Sequence, residues 1–265
     1  LVGNGCYDNF PMREMMYADL IVRRVDLADL AEVKSLAMCL AKQFTSIDLV
    51  ICNAGVMLES RSTTTTTSNI EIHQAVNLLS HATLVHFLLP SLAELGSRVV
   101  FVSSITAHLG NLRRFPIESP EFFCGHFRNG YEAYATSKLA TAFYAQELNS
   151  IFAKSTRSRG TTVVAVHPGC VASGLYQHVN FATKLLIRRI LKPIMRNPAN
   201  AAAEIVALGC CDNLRGGCFY QHMIPVRDLC SASDQQRQQI YEQVQRIIAN
   251  IQTSTDENWE FRALN

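Results

Sequence analysis

The chain has 265 residues, 48% of them hydrophobic and 17% charged, with a formal net charge of +2. That length and composition suit one globular α/β domain with a sizeable core and exclude a disordered chain. The charge is too small to imply nucleic acid as a partner. Nine cysteines are present, with no C-x-x-C and no zinc-type Cys/His spacing. They read as free or buried thiols of a cytosol-facing protein, and no metal site is expected. No apolar run reaches the ~18 residues of a membrane span. No signal peptide is visible either, but the sequence starts at Leu1 rather than Met, so an upstream targeting segment stays open.

Residues 1–5 read as the end of a strand and a Gly3, Asn4, Gly5 turn. Residues 20–25 (L-I-V-R-R-V) form a β-type run closed by Asp26 and Leu27, and Asp29 is placed to cap a helix with apolar spacing over 30–44. Residues 47–52 are a short continuous apolar run, as in a strand buried on both faces of a parallel sheet, ended by Asn53, Ala54 and Gly55. A Thr-rich loop over 62–68 precedes one long helix over 69–95, interrupted near its end by Pro90. The next buried strand, 98–102, ends at Ser103 and Ser104, and 105–130 reads as a long loop over the site. A helix over 131–153 follows, then a third buried strand over 161–166 closed by His167, Pro168 and Gly169. Beyond it, 173–195 and 200–208 read as helical, 217–220 as a last short strand, and 234–251 as a polar, Gln-rich C-terminal helix. With no repeat and no linker, the whole of 1–265 reads as a single domain.

Alternating buried strands and helices imply a parallel sheet covered on both sides, with ligands at the carboxyl ends of its strands. The residues that close the strands therefore converge on one rim. The helix beside that rim carries Tyr134 and Lys138 four residues apart, on one face. An ammonium beside a phenol favours the phenolate, which would make the pair a proton donor and acceptor near neutral pH. The plain alternative is an ion–dipole pair without chemistry.

Six segments in order change that balance: V-D-L from Val25, N-A-G-V-M from Asn53, V-N at Val76, V-V-F-V-S-S from Val99, Y-A-T-S-K from Tyr134 and H-P-G-C-V from His167. Together they resemble the short-chain dehydrogenase/reductase family. The resemblance implies a Rossmann-type, doubly wound α/β sheet and an NAD or NADP cofactor that carries the hydride. It implies that Tyr134 exchanges the proton and Lys138 lowers its pKa and holds the nicotinamide ribose. Ser104 would orient the substrate oxygen, with Ser103 as the alternative. Asn77 would keep a water in the proton relay; the alternative is a buried Asn tying two backbones together. Asp26 and Leu27 would meet the adenine, or Asp26 is only a helix cap. Asn53, Ala54 and Gly55 would let the backbone approach the cofactor ribose, and Pro168, Gly169, Val171 and Ser173 would shape the nicotinamide side.

The family's first strand, glycine-rich phosphate loop and first helix are not found in this sequence. A catalytically silent module for binding or dimerisation is therefore the alternative function. Asn4 offers no charge where NADP-preferring relatives often place Arg, which leans toward NAD or dual use, although Arg13 is near. The long 105–130 loop resembles a retinol-dehydrogenase-like branch, and H-P-G-C-V-A-S-G-L-Y-Q-H-V with G-G-C-F-Y resembles a narrower polyprenol-dehydrogenase-like group. These resemblances imply a retinoid-, steroid- or polyprenol-like alcohol or carbonyl as substrate and a homodimer. Residues 174–196 would be the substrate lid. There Lys184, Arg188, Lys192 and Arg196 recur every four residues between apolar ones, either as a helix lying peripherally on a cytosol-facing membrane (endoplasmic reticulum or lipid droplet) or as an ordinary packed helix.

Overall fold

The computed structural model describes residues 20–58, 69–92, 96–112, 117, 121–124, 127–155, 160–171, 195–226 and 234–262, with the side chains of 121 and 252–262 excepted. The expected 3–5 turn, Arg13, the Thr-rich tract, Ser173 and most of the basic 174–196 segment lie outside these residues.

Three strands form the centre: β1 (Leu49–Cys52), β2 (Arg98–Val102) and β3 (Thr162–His167), each parallel to the next. β4 (Phe219–Gln221) continues the parallel order, and β5 (Ile224–Val226) turns back antiparallel to it. β5 was not expected. Its hairpin turns through His222 and Met223, both at positive φ (50° and 63°), where residues without glycine's freedom leave little sequence signal.

The run 20–25 is not a strand. It is irregular, with Leu20 88% and Val22 76% exposed. β propensity alone does not make a strand; the backbone needs a partner edge, and the described residues provide none for it.

Helix α1 (Leu30–Gln43) begins at Asp29, whose side chain accepts from the Ala31 and Glu32 amides. α2 (Ile72–Leu92) begins at Glu71, contains Pro90 and includes a π turn at Ala75–Leu79. α2 has the length and mean hydropathy of a membrane span, yet Leu78, Leu79, Ala82 and Leu92 are wholly buried in the core. The described residues of the 105–130 region are not a plain loop. They include a 3-10 turn at Ile105–Leu109 and a short α3 (Glu121–Cys124), and Leu112, Ile117, Phe122, Phe123 and Phe127 are buried. α4 (Gly130–Lys154) is capped by Asn129, whose side chain accepts from the Glu132 amide. α5 (Pro198–Gly209) has Asn197 as its cap and Pro at the first position, where the missing N–H costs nothing. α6 (Asp234–Arg262) runs well beyond the expected end at 251.

Strand alternation divides the core. Val50, Cys52, Val99, Phe101, Val163 and Ala165 face α1, α2, α4 and α6. Val100, Val102, Val164, Val166 and Tyr220 face α5. The sheet is thus covered on both faces, and the carboxyl ends of β1, β2 and β3 meet the N-terminal part of α4.

Candidate active site

The site is built where α2 and α4 cross the strand ends. Tyr134 and Lys138 lie one turn apart on α4, each only 4% exposed. The Lys138 ammonium is 6.0 Å from the Tyr134 ring centroid and donates to the carbonyl of Val102, the last residue of β2, at 2.9 Å. Burial pulls the Lys138 pKa down from 10.5 to about 8, with the neighbouring Cys52 acting weakly the other way. Cys52 itself is pushed up to about 12 by burial and is a neutral thiol.

Gly55 closes the gap between Lys138 and α2. A Cβ there would lie 3.0 Å from Asn77 Oδ1 and 3.2 Å from Lys138 Nζ, so only glycine lets the turn seat itself without displacing them. Asn77 is fully buried in the π turn. Its Oδ1 accepts from the Val56 amide at 2.8 Å, and its Nδ2 donates to the Val56 carbonyl at 3.1 Å and to Ser137 Oγ at 2.9 Å. The side chain is thereby spent on tying the 53–58 segment to two helices.

The two serines after β2 separate cleanly. Ser103 is buried and donates to the Lys138 carbonyl at 2.7 Å, pinning β2 to α4. Ser104 is partly exposed and caps the 3-10 turn, accepting from the Thr106 amide at 3.2 Å and the Thr106 hydroxyl at 3.0 Å. Its own hydroxyl proton has no acceptor among these contacts.

Asp26 is exposed, and its Oδ1 accepts from the Ala28 amide at 2.9 Å. It is not the helix cap, since Asp29 fills that role. Leu27 lies beside it, partly buried. On the far side, Gly169 has φ of +88° and packs against Arg196, with an added Cβ meeting Arg196 Cδ at 2.5 Å. Arg196 donates to the Pro168 carbonyl at 2.8 Å and pairs with Glu204, while its backbone bridges Val171. The expected basic stripe therefore loses its last member. Arg196 is folded onto the Pro168–Gly169 turn by a carboxylate on α5, a partner that a four-residue cation repeat gives no hint of. Lys184, Arg188 and Lys192 lie outside the described residues.

Three histidines and a glutamate carry structure to which the sequence reading gave no role. His73 Nε2 accepts from the Leu58 amide at 2.9 Å, so its proton sits on Nδ1 and is donated to Glu71 Oε1 at 2.6 Å. Glu71 Oε2 accepts from the His73 and Gln74 amides at the start of α2. The His73 ring meets the Tyr134 ring edge-on, centroids 6.2 Å apart. His81 Nε2 lies 2.9 Å from the Ala54 carbonyl and donates to it. Burial, reinforced by Lys138, takes the His81 pKa down to about 4, so the ring is neutral. His167 is likewise lowered to about 4, first by burial and then by His222, His108 and Arg196, and its Nδ1 accepts from the Ile105 amide at 3.0 Å. The available signal was the spacing of His73, Asn77 and His81, four residues each on one helix.

Residues 12–115 match the short chain dehydrogenase family. The chain is 36% identical to retinol dehydrogenase 12 of Bos taurus over 180 residues, covering 68% of this chain and 53% of that protein. It is 32% identical to the polyprenol dehydrogenase of Mus musculus over 221 residues, covering 81% and 63%. The chain thus spans between about half and two-thirds of the length of these curated relatives. Among solved structures, an uncharacterized protein from Mycobacterium paratuberculosis superimposes with a TM-score of 0.64 at 24% identity, covering 89% of this chain and 78% of that one. A short chain dehydrogenase from Burkholderia cenocepacia J2315, solved in complex with NADP, gives 0.54 at 23% identity, covering 75% and 73%. The structural likenesses establish the Rossmann-like fold, and the sequence relatives place the chain more narrowly. It belongs to the short-chain dehydrogenase/reductase family, on the retinol-dehydrogenase-like branch.

Proposed function

We propose that the chain is an NAD(P)-dependent oxidoreductase that interconverts a lipophilic alcohol and its carbonyl. The observation that supports this most is the arrangement of Tyr134 and Lys138 on buried α4, with Asn77 and the Gly55 turn packed against the lysine. The residues fit a dinucleotide. Gly55 lets its turn seat directly against Asn77 and Lys138, the lysine that would hold a ribose, and the exposed Asp26 carboxylate can accept from an adenine amino group. In this reading Asp26 and Leu27 meet the adenine, Asn53, Ala54 and Gly55 the ribose, and Pro168, Gly169 and Val171 the nicotinamide.

A bound nicotinamide would supply the hydride chemistry. Ser104 Oγ–H donates to the substrate oxygen, a role for which Ser103 is unsuited because its proton is already given to the Lys138 carbonyl. In the oxidative direction Tyr134, as phenolate, takes the alcohol proton; in the reductive direction the Tyr134 hydroxyl gives it back. Lys138 holds positive charge beside the phenol and reaches toward the ribose. Asn77 maintains the segment on which that ribose rests. NAD or NADP is accepted in this reading, with NAD favoured by the uncharged Asn4. The names of the retinol and polyprenol relatives support an apolar, isoprenoid-like substrate. Peripheral contact with a cytosol-facing membrane and pairing of two copies belong to the same proposal.

The test is cofactor-coupled turnover of retinol-, steroid- and polyprenol-type alcohols and aldehydes. Tyr134→Phe is expected to lower the rate about 10²–10⁴-fold, the usual weight of a general acid–base group, while NAD(P) binding persists. Undiminished turnover in Tyr134→Phe would sink the assignment, and absence of NAD(P) binding in the unaltered chain would favour the silent binding module.

A further inference from the structure

His73, Asn77 and His81 bond to successive alternate residues of one extended segment. His73 takes the Leu58 amide, Asn77 both backbone groups of Val56, and His81 the Ala54 carbonyl. The two periods match. Four helical residues advance about 6 Å, and two extended residues advance about 6.6 Å. A segment outside any strand is thus held by three rungs along α2.

The π turn has a place in this match. Eight residues of unbroken α-helix turn through about 800°, which would swing His81 roughly 80° away from the line of His73. A π turn acts as about one inserted residue, and seven α-type steps turn through about 700°, within roughly 20° of two full turns. The widened turn at Ala75–Leu79 therefore keeps three side chains on one line. His73 is locked in its accepting tautomer by Glu71, and His81 is held neutral as a donor, so each ring presents the atom its rung requires.

We propose that His73 and His81 are positioning residues for cofactor binding: with Asn77 they hold the Ala54–Leu58 backbone along α2, so the Gly55 turn is ordered before the dinucleotide arrives. This rests on the dinucleotide reading above. Neither histidine would touch the cofactor; each would act through the backbone it holds. Preorganisation of this kind lowers the ordering cost of binding.

The test uses the full chain with NAD and NADP titrated by calorimetry. His81→Leu is expected to weaken binding about tenfold, the weight of one lost hydrogen bond, and His73→Leu similarly. His81→Gln, whose amide can donate to Ala54, and His73→Gln, whose amide oxygen can accept from Leu58, are expected to recover most of the affinity. The rise in melting temperature on adding cofactor should shrink in the Leu variants and return in the Gln variants, a readout that a merely structural role would not restore. Binding equal to the unaltered chain in folded Leu variants overturns the positioning role and leaves the dinucleotide reading intact. Failure of the unaltered chain to bind either cofactor overturns both. Should the Leu variants not fold, amide exchange in the cofactor-free unaltered chain decides: slow exchange at Val56 and Leu58 supports the ladder, and exchange at free-peptide rates overturns it.

Discussion

Lys138 carries a cation into the core. Its ammonium is buried, with one carbonyl acceptor at 2.9 Å, and burial takes its pKa to about 8. A lysine depressed in the fold costs stability while it is charged in both states, below its folded pKa. That cost fades as pH rises from about 8 toward the ordinary 10.5. Lys138→Met is therefore expected to stabilise the cofactor-free chain at pH 7 by about 1–3 kcal/mol. The advantage should close by about pH 10.5. Turnover should be lost, since the phenol would no longer have its cation. Urea melts of both proteins at pH 7 and pH 10 check this. A variant less stable than the parent at pH 7 would mean that the bond to Val102, and not burial, dominates. Cys52 also titrates out of its normal range, but it is present in both proteins and cancels to first order. At this scale the gathering of Tyr134, Lys138, Ser104 and Gly55 at the strand ends was legible because each occupies a short motif; the roles given to them are part of the proposal. The use of Asn77 was less so. A sequence reveals an amide but not that both its ends are taken by Val56 and Ser137.

At the scale of elements, the crossing of α2 and α4 is the joint that sets the site. Asn77 reaches α4 through Ser137, whose hydroxyl turns back to the Tyr134 carbonyl. In the other direction, the Thr141 hydroxyl donates to the Asn77 carbonyl at 3.1 Å while also meeting the Ser137 carbonyl at 2.8 Å. Thr141 is 1% exposed, so no solvent replaces its hydroxyl. Thr141→Val keeps the shape and removes the donor to a buried carbonyl in the π turn, which should cost about 1–3 kcal/mol. Relaxation of the π turn toward α geometry would also rotate Asn77, so cofactor affinity should drop, while Thr141→Ser retains both. Thermal melts and cofactor titration of the pair of variants test this. An unperturbed Thr141→Val would show that the π turn needs no support from α4. The helices themselves were readable from apolar spacing and from Asp29. The π turn was not, because hydrophobic period alone does not distinguish an inserted residue within a uniformly apolar helix.

Across the whole molecule, the buried runs at 49–52, 98–102 and 162–167 made the parallel sheet legible, since strands buried on both faces read as continuous apolar stretches. The 20–25 run failed because its sequence carries propensity while the described residues give it no partner edge. The C-terminal helix was read as polar, and most of it is, but Ile240, Val244 and Ile248 form a stripe at spacing four with 0–1% exposure. Tyr241 stacks on Tyr144 of α4 at 5.8 Å, and Gln245 reaches the Tyr144 hydroxyl at 3.5 Å. That hydroxyl is driven far above its usual pKa by burial. α6 is thus a wall of the larger core beside Phe101, Leu148 and Phe152. Burying three such aliphatic side chains is worth about 1.5–3 kcal/mol each, and a domain's net stability is only about 5–15 kcal/mol. Ending the chain before Asp234 should therefore leave a protein that does not melt cooperatively and that exposes Tyr144 and Leu148 to association. Circular dichroism melts and light scattering measure both. A truncated chain that melted within about 5 °C of the parent, a shift of roughly 1–2 kcal/mol at this size, would show α6 to be an appendage. Helix α4, with the candidate site on it, would then owe its placement to the sheet and α2 alone.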